Sequence, residues 1–246
     1  MLEKATAKLI KKLQQKKQRK KENLFVVEGE KIVREAMQSD FRINMAFATK
    51  EWLDDSGVLN SERSVFKEVD SKELKKISSL SSPQEVLAVL EIPKKSDVPI
   101  SGNKLILALD RIQDPGNLGT IIRIADWFGI SDVVCSEDCV DAFNPKVLQA
   151  TMGSVFRVRV HYLNLEKWLK DQDADVYGAL LGGKNLWQQE LKKEGVLLMG
   201  NESSGISEEL MKLVTIPVSI PSFGGAESLN VAVATAIICA EFSKLS

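Results

Sequence analysis

The sequence predicts an α/β protein in which a small α/β domain precedes a larger domain built on a mainly parallel sheet. In the C-terminal part, short apolar runs alternate with helices, and near-continuous apolar character is typical of strands buried on both faces of a parallel sheet. A polar stretch with two prolines, a glycine and no periodicity, Pro93–Asn103, separates the two parts. Because 246 residues suffice for two domains, we place the first at 1–93, the linker at 94–103 and the second at 104–246.

The first part shows strands separated by helices, a pattern that indicates layered α/β packing. A basic N-terminal helix is predicted first, and the next two helices are Lys31–Gln38 and Ser71–Leu80. The strand candidates are Leu24–Glu28, Met45–Thr49, Val65–Val69 and Val86–Ile92.

The second part repeats the alternation more clearly. Its strand candidates are Leu105–Leu109, Asp132–Cys135, Val176–Leu181, Val196–Met199 and Val214–Val218. Its helix candidates are Leu118–Phe128, Pro145–Met152, Leu165–Asp171, Ser207–Leu213 and Leu229–Phe242. The last helix is apolar almost all round, which favours packing on most of its sides and fits contact with another subunit.

Composition excludes several classes of protein. Hydrophobic residues make up 44% and charged residues 27%, the balance of a soluble globular protein. The chain shows no apolar run of membrane-spanning length and no signal peptide, so we expect a cytoplasmic protein without a membrane partner. Cys135 and Cys139 lack a second cysteine pair, and His161 is the only histidine. We therefore expect no metal site. Because the three cysteines are an odd number and no secretory signal is present, we also expect reduced thiols.

The N-terminus concentrates positive charge although the whole chain has a net charge of −1. Nine basic residues and one acidic residue, Glu3, lie between Met1 and Lys21. Two interpretations stay open: a surface that binds a phosphate backbone, or a solvated lysine-rich helix with a buried apolar stripe. Under the first, the candidate RNA contacts are Lys11, Lys12, Lys16, Lys17, Arg19 and Lys20.

The first of three motifs, Asp110–Ala125 (DRIQDPGNLGTIIRIA), lies where a strand ends and a helix begins. Ligands collect at such places in open α/β sheets. Asn117 is a candidate helix cap, and Gly119 allows close backbone approach. Arg123 lies two turns or less beyond Asn117, so we expect both side chains to face one cavity. The alternative is an ordinary turn and helix whose arginine is solvated.

The second motif, Leu197–Ile206 (LLMGNESSGI), places polar and flexible residues directly after a buried strand. Such a loop is typical of binding rather than of a plain connection. Glu202 is the candidate functional carboxylate. Its alternative role is a helix-start carboxylate that interacts favourably with the helix dipole.

The third motif, Ile220–Ala232 (IPSFGGAESLNVA), joins a glycine-rich loop to an apolar helix. Ser228 and Asn230 stand at the helix start, where free N–H groups bind anions and polar ligands. For Ser228 a simple N-cap is the alternative, and both roles are compatible.

Together, in this order, the motifs resemble those of the SpoU/TrmH branch of the SPOUT methyltransferases: N-x-G-x-x-x-R, then G-N-E-x-x-G-[IL], then [IV]-P-x-x-G-x-x-x-S-L-N-V-[SA]-x-A. The resemblance covers Leu105–Phe242. Phe25–Met37 and Ser81–Glu91 look like the L30e-like substrate-binding domain often attached to this family. Many relatives have Q-G-[VI] where this chain has Gln84-Glu85-Val86.

The resemblance implies a C-terminal SPOUT domain with a deep trefoil knot, and a homodimer whose interface forms part of the active site. It implies transfer of a methyl group from S-adenosyl-L-methionine to a ribose 2′-hydroxyl, with ribosomal RNA favoured over tRNA. By motif position, the cofactor contacts are Gly200, Ile220 and Leu229. Leu181 and Gly182 end the preceding strand and are expected in the same pocket.

The resemblance also implies that Arg123 accepts the hydroxyl proton, once RNA and donor enclose it. Because arginine is normally always protonated, the alternative is that Arg123 clamps the adjacent phosphate and leaves the proton to a phosphate oxygen or water. Asn117 orients Arg123 or the target ribose, and Glu202 is the expected partner of Arg123. Ser228 and Asn230 complete the pocket.

Two alternatives remain beside this interpretation, and a third is set aside. A non-catalytic RNA-binding relative would bind no donor, whereas intact motifs favour the enzyme. A tRNA or base methyltransferase of the wider class is less consistent with the asparagine–arginine pair and the S-L-N-V run. A dinucleotide oxidoreductase is set aside because no G-x-G-x-x-G follows a strand.

Overall fold

A computed structural model of the chain describes residues 2–55, 63–94, 97–100, 102 and 104–244. The described residues form two compact units, one of Met1–Lys94 with Phe143–Phe156 and the other of Lys95–Ala142 with Arg157–Ser246. The first unit thus takes in a segment that the sequence analysis placed in the second domain. Part of the predicted linker lies outside the described residues.

Ten strands and ten α-helices occur among the described residues. The strands are β1 Leu24–Glu28, β2 Ile43–Ala48, β3 Phe66–Glu68, β4 Val86–Glu91, β5 Leu105–Leu109, β6 Asp132–Ser136, β7 Arg159–Leu163, β8 Val176–Asn185, β9 Gly195–Met199 and β10 Ile216–Ser219. The helices are α1 Lys4–Lys12, α2 Lys16–Glu22, α3 Glu30–Met37, α4 Lys50–Asp55, α5 Ser71–Ile77, α6 Pro115–Trp127, α7 Pro145–Thr151, α8 Leu165–Lys170, α9 Glu208–Met211 and α10 Val231–Ser243.

The first unit is a four-stranded sheet, in the order β1-β4-β2-β3, with helices on both faces. Along β1, Phe25 joins the core that contains Trp52 of α4 and Leu148 of α7. Its neighbour Val26 joins the opposite core, which contains Leu74 of α5. Because successive side chains of a strand point to opposite faces, a strand covered on both sides is apolar at nearly every position.

The second unit is a six-stranded, all-parallel sheet in the order β10-β8-β9-β5-β6-β7. The central strand β5 is buried at every position, as its apolar sequence predicts. Strand β7 was missed in the sequence because Arg159 and His161 interrupt its apolar character. It is an edge strand, where one side of the ladder is free and polar residues are tolerated.

The predicted basic N-terminal helix is two helices, α1 and α2, rather than one. Arg19 is 2% exposed, and its Nη1 donates hydrogen bonds of 2.8 Å to the carbonyl oxygens of Leu13 and Gln14 between the helices. Those carbonyls end α1 and would otherwise be unsatisfied. The placement of Arg19 among the RNA contacts is therefore corrected, because its guanidinium stabilises the break between the helices.

A buried carboxylate joins three neighbouring segments at the start of β6. Asp132 is 1% exposed and accepts hydrogen bonds from Lys104 at 2.7 Å, from Arg159 at 2.7 and 2.8 Å, and contacts His161 Nε2 at 3.0 Å. Burial alone would raise the pKa of the Asp132 carboxyl, but hydrogen bonds from Arg159, Lys104 and His161 together hold that pKa well below its usual value.

Replacing Asp132 by asparagine should lower the free energy of unfolding at pH 7 by about 2 kcal/mol. The substitution removes the hydrogen bonds from Lys104 and Arg159 to a charged carboxylate, but both cations are half-exposed, so solvent screening limits the loss. A lowered pKa stabilises the fold above the carboxyl's ordinary value of 3.8, and that stabilisation is lost as the pH falls further. The difference between wild type and Asp132→Asn should therefore shrink below pH 3.8, as measured by urea denaturation. Glu166→Gln, which removes a surface pair with Lys170, should change little.

Among the described residues, no helix combines the length and the apolar character that a membrane span requires. No group of three or more histidine, cysteine, aspartate or glutamate side chains in the same residues could hold a metal ion. The three cysteines are buried and unpaired.

Candidate active site

The first loop, residues 110–114, joins β5 to α6 at the carboxyl edge of the sheet. Asp114 caps α6, because its side chain accepts a hydrogen bond of 2.8 Å from the backbone N–H of Asn117. Pro115 follows at the first helical position, where a missing N–H costs nothing. The expectation that Asn117 caps this helix is therefore wrong, and its side-chain amide is available for other partners.

The second loop, residues 200–207, is a tight turn that follows β9. Asn201 and Gly205 exchange two backbone hydrogen bonds of 2.9 and 3.0 Å, and the Asn201 side chain accepts from the backbone N–H groups of Ser203 and Ser204. A Cβ on Gly200 would lie 2.2 Å from the carbonyl carbon of Gly205, so only glycine fits there. The turn leaves the Glu202 side chain on its exposed outer side.

The third loop, residues 220–229, leads into α10. Asn230 caps this helix by accepting hydrogen bonds from the backbone N–H groups of Ala232 and Val233 at 2.9 and 3.3 Å. Ser228 lies two residues earlier and is exposed, so the alternative role of Ser228 as the N-cap is wrong.

Three side chains, one from each motif, form a continuous chain of hydrogen bonds that we call the amide relay. The Asn117 Nδ2 donates to Glu202 Oε1 at 2.7 Å. The Asn230 Nδ2 donates to Asn117 Oδ1 at 2.9 Å. Because the carboxylate only accepts and the Asn230 oxygen is held by its helix, the orientation of every amide in the relay is determined.

Arg123 is exposed on α6, and among the described residues it forms no hydrogen bond or ion pair with the amide relay. Glu202 pairs with Asn117, so its predicted pairing with Arg123 is corrected. Helical geometry gives the reason: six residues turn about 600°, so the directions of Arg123 and Asn117 differ by about 120° around the helix axis. The two side chains therefore point to different sides of the helix.

Two further residues fix the relay and were missed in the sequence. Asn201 Nδ2 donates to the Arg111 carbonyl oxygen at 2.8 Å and to Glu202 Oε2 at 3.3 Å. Asp110, 3% exposed, accepts a hydrogen bond of 2.8 Å from the backbone N–H of Ser207. No sequence signal predicts these contacts, because the residues that form them lie about ninety positions apart. The Asp-Pro pair at positions 114 and 115, by contrast, could have identified Asp114 as the cap of α6.

The residues predicted to hold the methyl donor combine open space with exposed apolar side chains. Leu181 is 78% exposed and Leu229 is 48% exposed, and Ile220 is partly exposed. A Cβ on Gly182 would meet no heavy atom within 4 Å. The Ser219 hydroxyl donates to the Leu181 carbonyl oxygen at 3.2 Å, which joins the segments that carry Leu181 and Ile220. Exposed apolar walls beside an open glycine fit the nucleoside end of such a donor.

The strand that carries Leu181 and Gly182 is irregular at this place. Pairing of β8 with β10 jumps from Gly178–Pro217 to Lys184–Val218, so residues 179–183 bulge from the regular register. Bulges of this kind occur beside binding sites, where they redirect side chains.

The five lysines of the predicted RNA surface lie in the first unit and are all exposed. They are Lys11, Lys12, Lys16, Lys17 and Lys20. None of them contributes to the cores on either face of the first sheet, unlike Ile10 and Leu13 between them.

Two family models match the chain, one in each of its two parts. The SpoU rRNA Methylase family matches residues 104–240, and the MRM3-like substrate binding domain matches residues 4–88. The 23S rRNA (guanosine(2553)-2'-O)-methyltransferase RlmP of Bacillus subtilis (strain 168) is 34% identical, over 93% of this chain and 92% of the relative.

Solved structures agree with the sequence comparison. A TrmH-family protein from Porphyromonas gingivalis is 38% identical, with a TM-score of 0.90 and 100% of each chain covered. An rRNA methyltransferase from Sinorhizobium meliloti, solved with AdoMet bound, is 32% identical, with a TM-score of 0.87 over 99% of this chain and 96% of that one. The α/β fold class expected from the sequence is confirmed by these structures.

Proposed function

Because the chain belongs to the SpoU family of rRNA methylases, we propose that it transfers a methyl group from S-adenosyl-L-methionine to a ribose 2′-hydroxyl of large-subunit ribosomal RNA. The observation that carries this proposal is the amide relay. It brings together one residue from each of the three motifs at the carboxyl edge of a parallel sheet, where ligands bind in open α/β folds.

Asn117, Glu202 and Asn230 serve in this proposal as a preorganised polar surface for the target ribose. Their bonds exist before RNA binds, so little reorganisation is needed when the reaction begins. Ser228 lies exposed two residues before the helix start and supplies a hydroxyl for the same ribose or its phosphate. In-line displacement requires that the attacking oxygen and the methyl group stay aligned, which a rigid surface favours.

The methyl donor would be held by Leu181, Gly182, Gly200, Ile220 and Leu229. When bound, it supplies an electrophilic methyl group on a sulfonium. The protein contributes the apolar walls of Leu181 and Leu229, and an open space at Gly182 that any side chain would reduce. The tight turn at Gly200 keeps backbone rather than side-chain atoms beside the donor.

Arg123 acts on the hydroxyl proton or on the adjacent phosphate, and its position favours a role at a subunit interface. It lies one turn before Trp127, which is 83% exposed, on the outer side of α6. Helix α10 packs against α6 and adds Val233, which is 50% exposed. Exposed apolar surface of this kind marks interaction sites. A homodimer formed through this face brings Arg123 to the interface, and sedimentation equilibrium measures its formation.

The first unit binds the RNA substrate in this proposal, through the exposed lysines of α1 and α2. The bacterial relative named as a 23S rRNA methyltransferase favours the cytoplasm as the place of action. The relatives named as 23S rRNA enzymes favour ribosomal RNA over tRNA.

Replacing Lys16 and Lys17 together by alanine should weaken RNA binding. The logarithm of the affinity falls as the logarithm of the salt concentration rises, and each lost phosphate contact should make that slope less steep by about 0.7–0.9. Lys75 and Lys76 form a matched exposed pair on α5, so their double replacement should change the slope less. Arg19→Ala should instead lower the melting temperature, because it leaves two carbonyl groups without a donor. Equal effects of the two lysine pairs would contradict the assignment.

The decisive experiment maps 2′-O-methylated nucleotides in cellular RNA with and without the gene. Loss of one ribosomal site, restored by the purified protein and S-adenosylmethionine, is the expected result. If a tRNA site is lost instead, the substrate is tRNA rather than ribosomal RNA. If every methylated site remains without the gene, the proposed activity is contradicted. Calorimetric titration with S-adenosylmethionine distinguishes the enzyme from a non-catalytic RNA-binding relative, which would bind no donor.

A further inference from the structure

Arg111 has an unusual backbone conformation for a residue with a side chain. Its φ is 55°, in the left-handed region that L residues other than glycine rarely adopt. Asn23 and Met152 share this conformation among the described residues, but both end a helix, where a left-handed residue is common. Arg111 ends no helix. It lies in the first loop, directly after the buried Asp110.

The hydrogen bonds of the Arg111 backbone explain its left-handed conformation, but they do not explain why the residue is an arginine. Its N–H donates to the Ser136 hydroxyl at 2.9 Å, and its carbonyl oxygen accepts from Asn201 Nδ2 at 2.8 Å. Glycine would make both bonds and would adopt the same φ without strain. Backbone conformation alone would therefore favour glycine at position 111.

The guanidinium of Arg111 joins the first loop to the second. Its Nη2 donates to the Gly205 carbonyl oxygen at 3.4 Å, and its Nε lies 3.3 Å from Asp110 Oδ1. The other oxygen of Asp110 accepts from the backbone N–H of Ser207. Adjacent side chains of the first loop thus hold both ends of the segment from Gly205 to Ser207. Gly205 closes the turn that presents Glu202 to Asn117.

We infer that Arg111 is a positioning residue for methyl transfer, whose guanidinium pins the Gly205 end of the second loop so that Glu202 stays in the amide relay. The inference rests on the proposed function. Strained residues persist where the surrounding structure holds them and the strain serves a site. Arg111 meets both conditions, because three hydrogen bonds and one ionic contact hold it and its side chain reaches the loop of the candidate carboxylate.

The test compares Arg111→Gly, Arg111→Lys and Arg111→Ala in the full-length protein. Arg111→Gly removes the guanidinium and also relieves the strain. Its melting temperature should stay close to that of the wild type, because the relief of strain offsets the lost guanidinium contacts. Its kcat should fall about 10- to 100-fold, as for a small misplacement of catalytic groups. KM for RNA should stay unchanged. Arg111→Lys should recover part of kcat, and Arg111→Ala should lose kcat and also melt at a lower temperature.

Met152→Gly is the matched control, because it relieves a left-handed residue at φ 51° far along the chain from the motifs. It should keep kcat and gain or keep thermal stability. Wild-type kcat in Arg111→Gly would overturn the inference. A raised KM for RNA with a weaker salt dependence would also overturn it, since Arg111 would then contact a phosphate.

Hydrogen exchange provides a readout that does not depend on activity. The amides of Gly205 and Ser207 bond to Asn201 and Asp110, and both should exchange faster in Arg111→Gly than in the wild type. If the wild type methylates no RNA, the proposed function fails, but the exchange rates still decide whether Arg111 positions the loop. Unchanged exchange at both amides would overturn the inference.

Discussion

Replacing Arg123 by alanine should lower the rate of methyl transfer by about 10²–10⁴-fold, the contribution of a positioned proton acceptor or of a comparable electrostatic contact. Both assigned roles require the guanidinium, either to accept the hydroxyl proton or to clamp the phosphate beside it. The fold should be unaffected, because Arg123 is exposed on the outer side of α6. Single-turnover incorporation of a labelled methyl group measures the rate.

Arg42→Ala is the control for this prediction, since it removes another exposed arginine, with a side chain 80% exposed, that lies outside the motifs. Its rate should match that of the wild type. The affinity for S-adenosylmethionine, measured by calorimetry, should be the same in both variants. Near-normal turnover in Arg123→Ala on the correct RNA would contradict both roles of this residue.

The pH dependence of Arg123→Lys then distinguishes those two roles. A lysine retains a positive charge for phosphate but forms a point contact in place of a planar fork. Substantial activity in Arg123→Lys with an unchanged pH profile supports the clamp. A rate that rises with pH as the ammonium loses its proton supports direct proton acceptance.

The sequence predicted the parallel sheet and its loops well, because buried strands have a local signature. Leu105–Leu109 was predicted with its exact bounds, since each of its positions is apolar and buried. The helical segment Pro145–Thr151 was also predicted nearly to its ends. Its membership of the first unit was not, because a pattern along the chain does not reveal which core receives a helix.

The sequence predicted which residues form the candidate site, but not which of them form hydrogen bonds with one another. Asn117, Glu202 and Asn230 were chosen from motif positions, yet their mutual hydrogen bonds span 85 and 113 positions of sequence. Local spacing instead suggested that Asn117 and Arg123 share a cavity, an interpretation that the turn of the helix contradicts. Arg19 is a second example of a contact that the sequence does not predict. A run of basic residues does not reveal which of them is buried and donates to the carbonyl groups at a helix end.

Replacing Asn117 by aspartate should disable the amide relay while preserving the shape of the side chain. The substitution exchanges the Nδ2 donor for an oxygen, so two carboxylates then face each other where Asn117 and Glu202 are now 2.7 Å apart. Like charges at such a distance repel, and one of the two sites is favoured to take up a proton. We expect kcat at pH 8 to fall by about 10²-fold, comparable to the loss of one preorganised donor.

The sign of the pH response makes this prediction specific. As the pH falls, a proton on either carboxylate restores an O–H donor between the two side chains, so the activity of Asn117→Asp relative to wild type should rise. Asn117→Ala offers no group to protonate, and its activity relative to wild type should stay low at every pH. The double variant Asn117→Asp with Glu202→Gln supplies an amide donor from the opposite side and should recover part of kcat at pH 8. Parallel pH profiles for the aspartate and alanine variants would show that Asn117 acts without Glu202, and the relay would then be a feature of the fold with no part in catalysis.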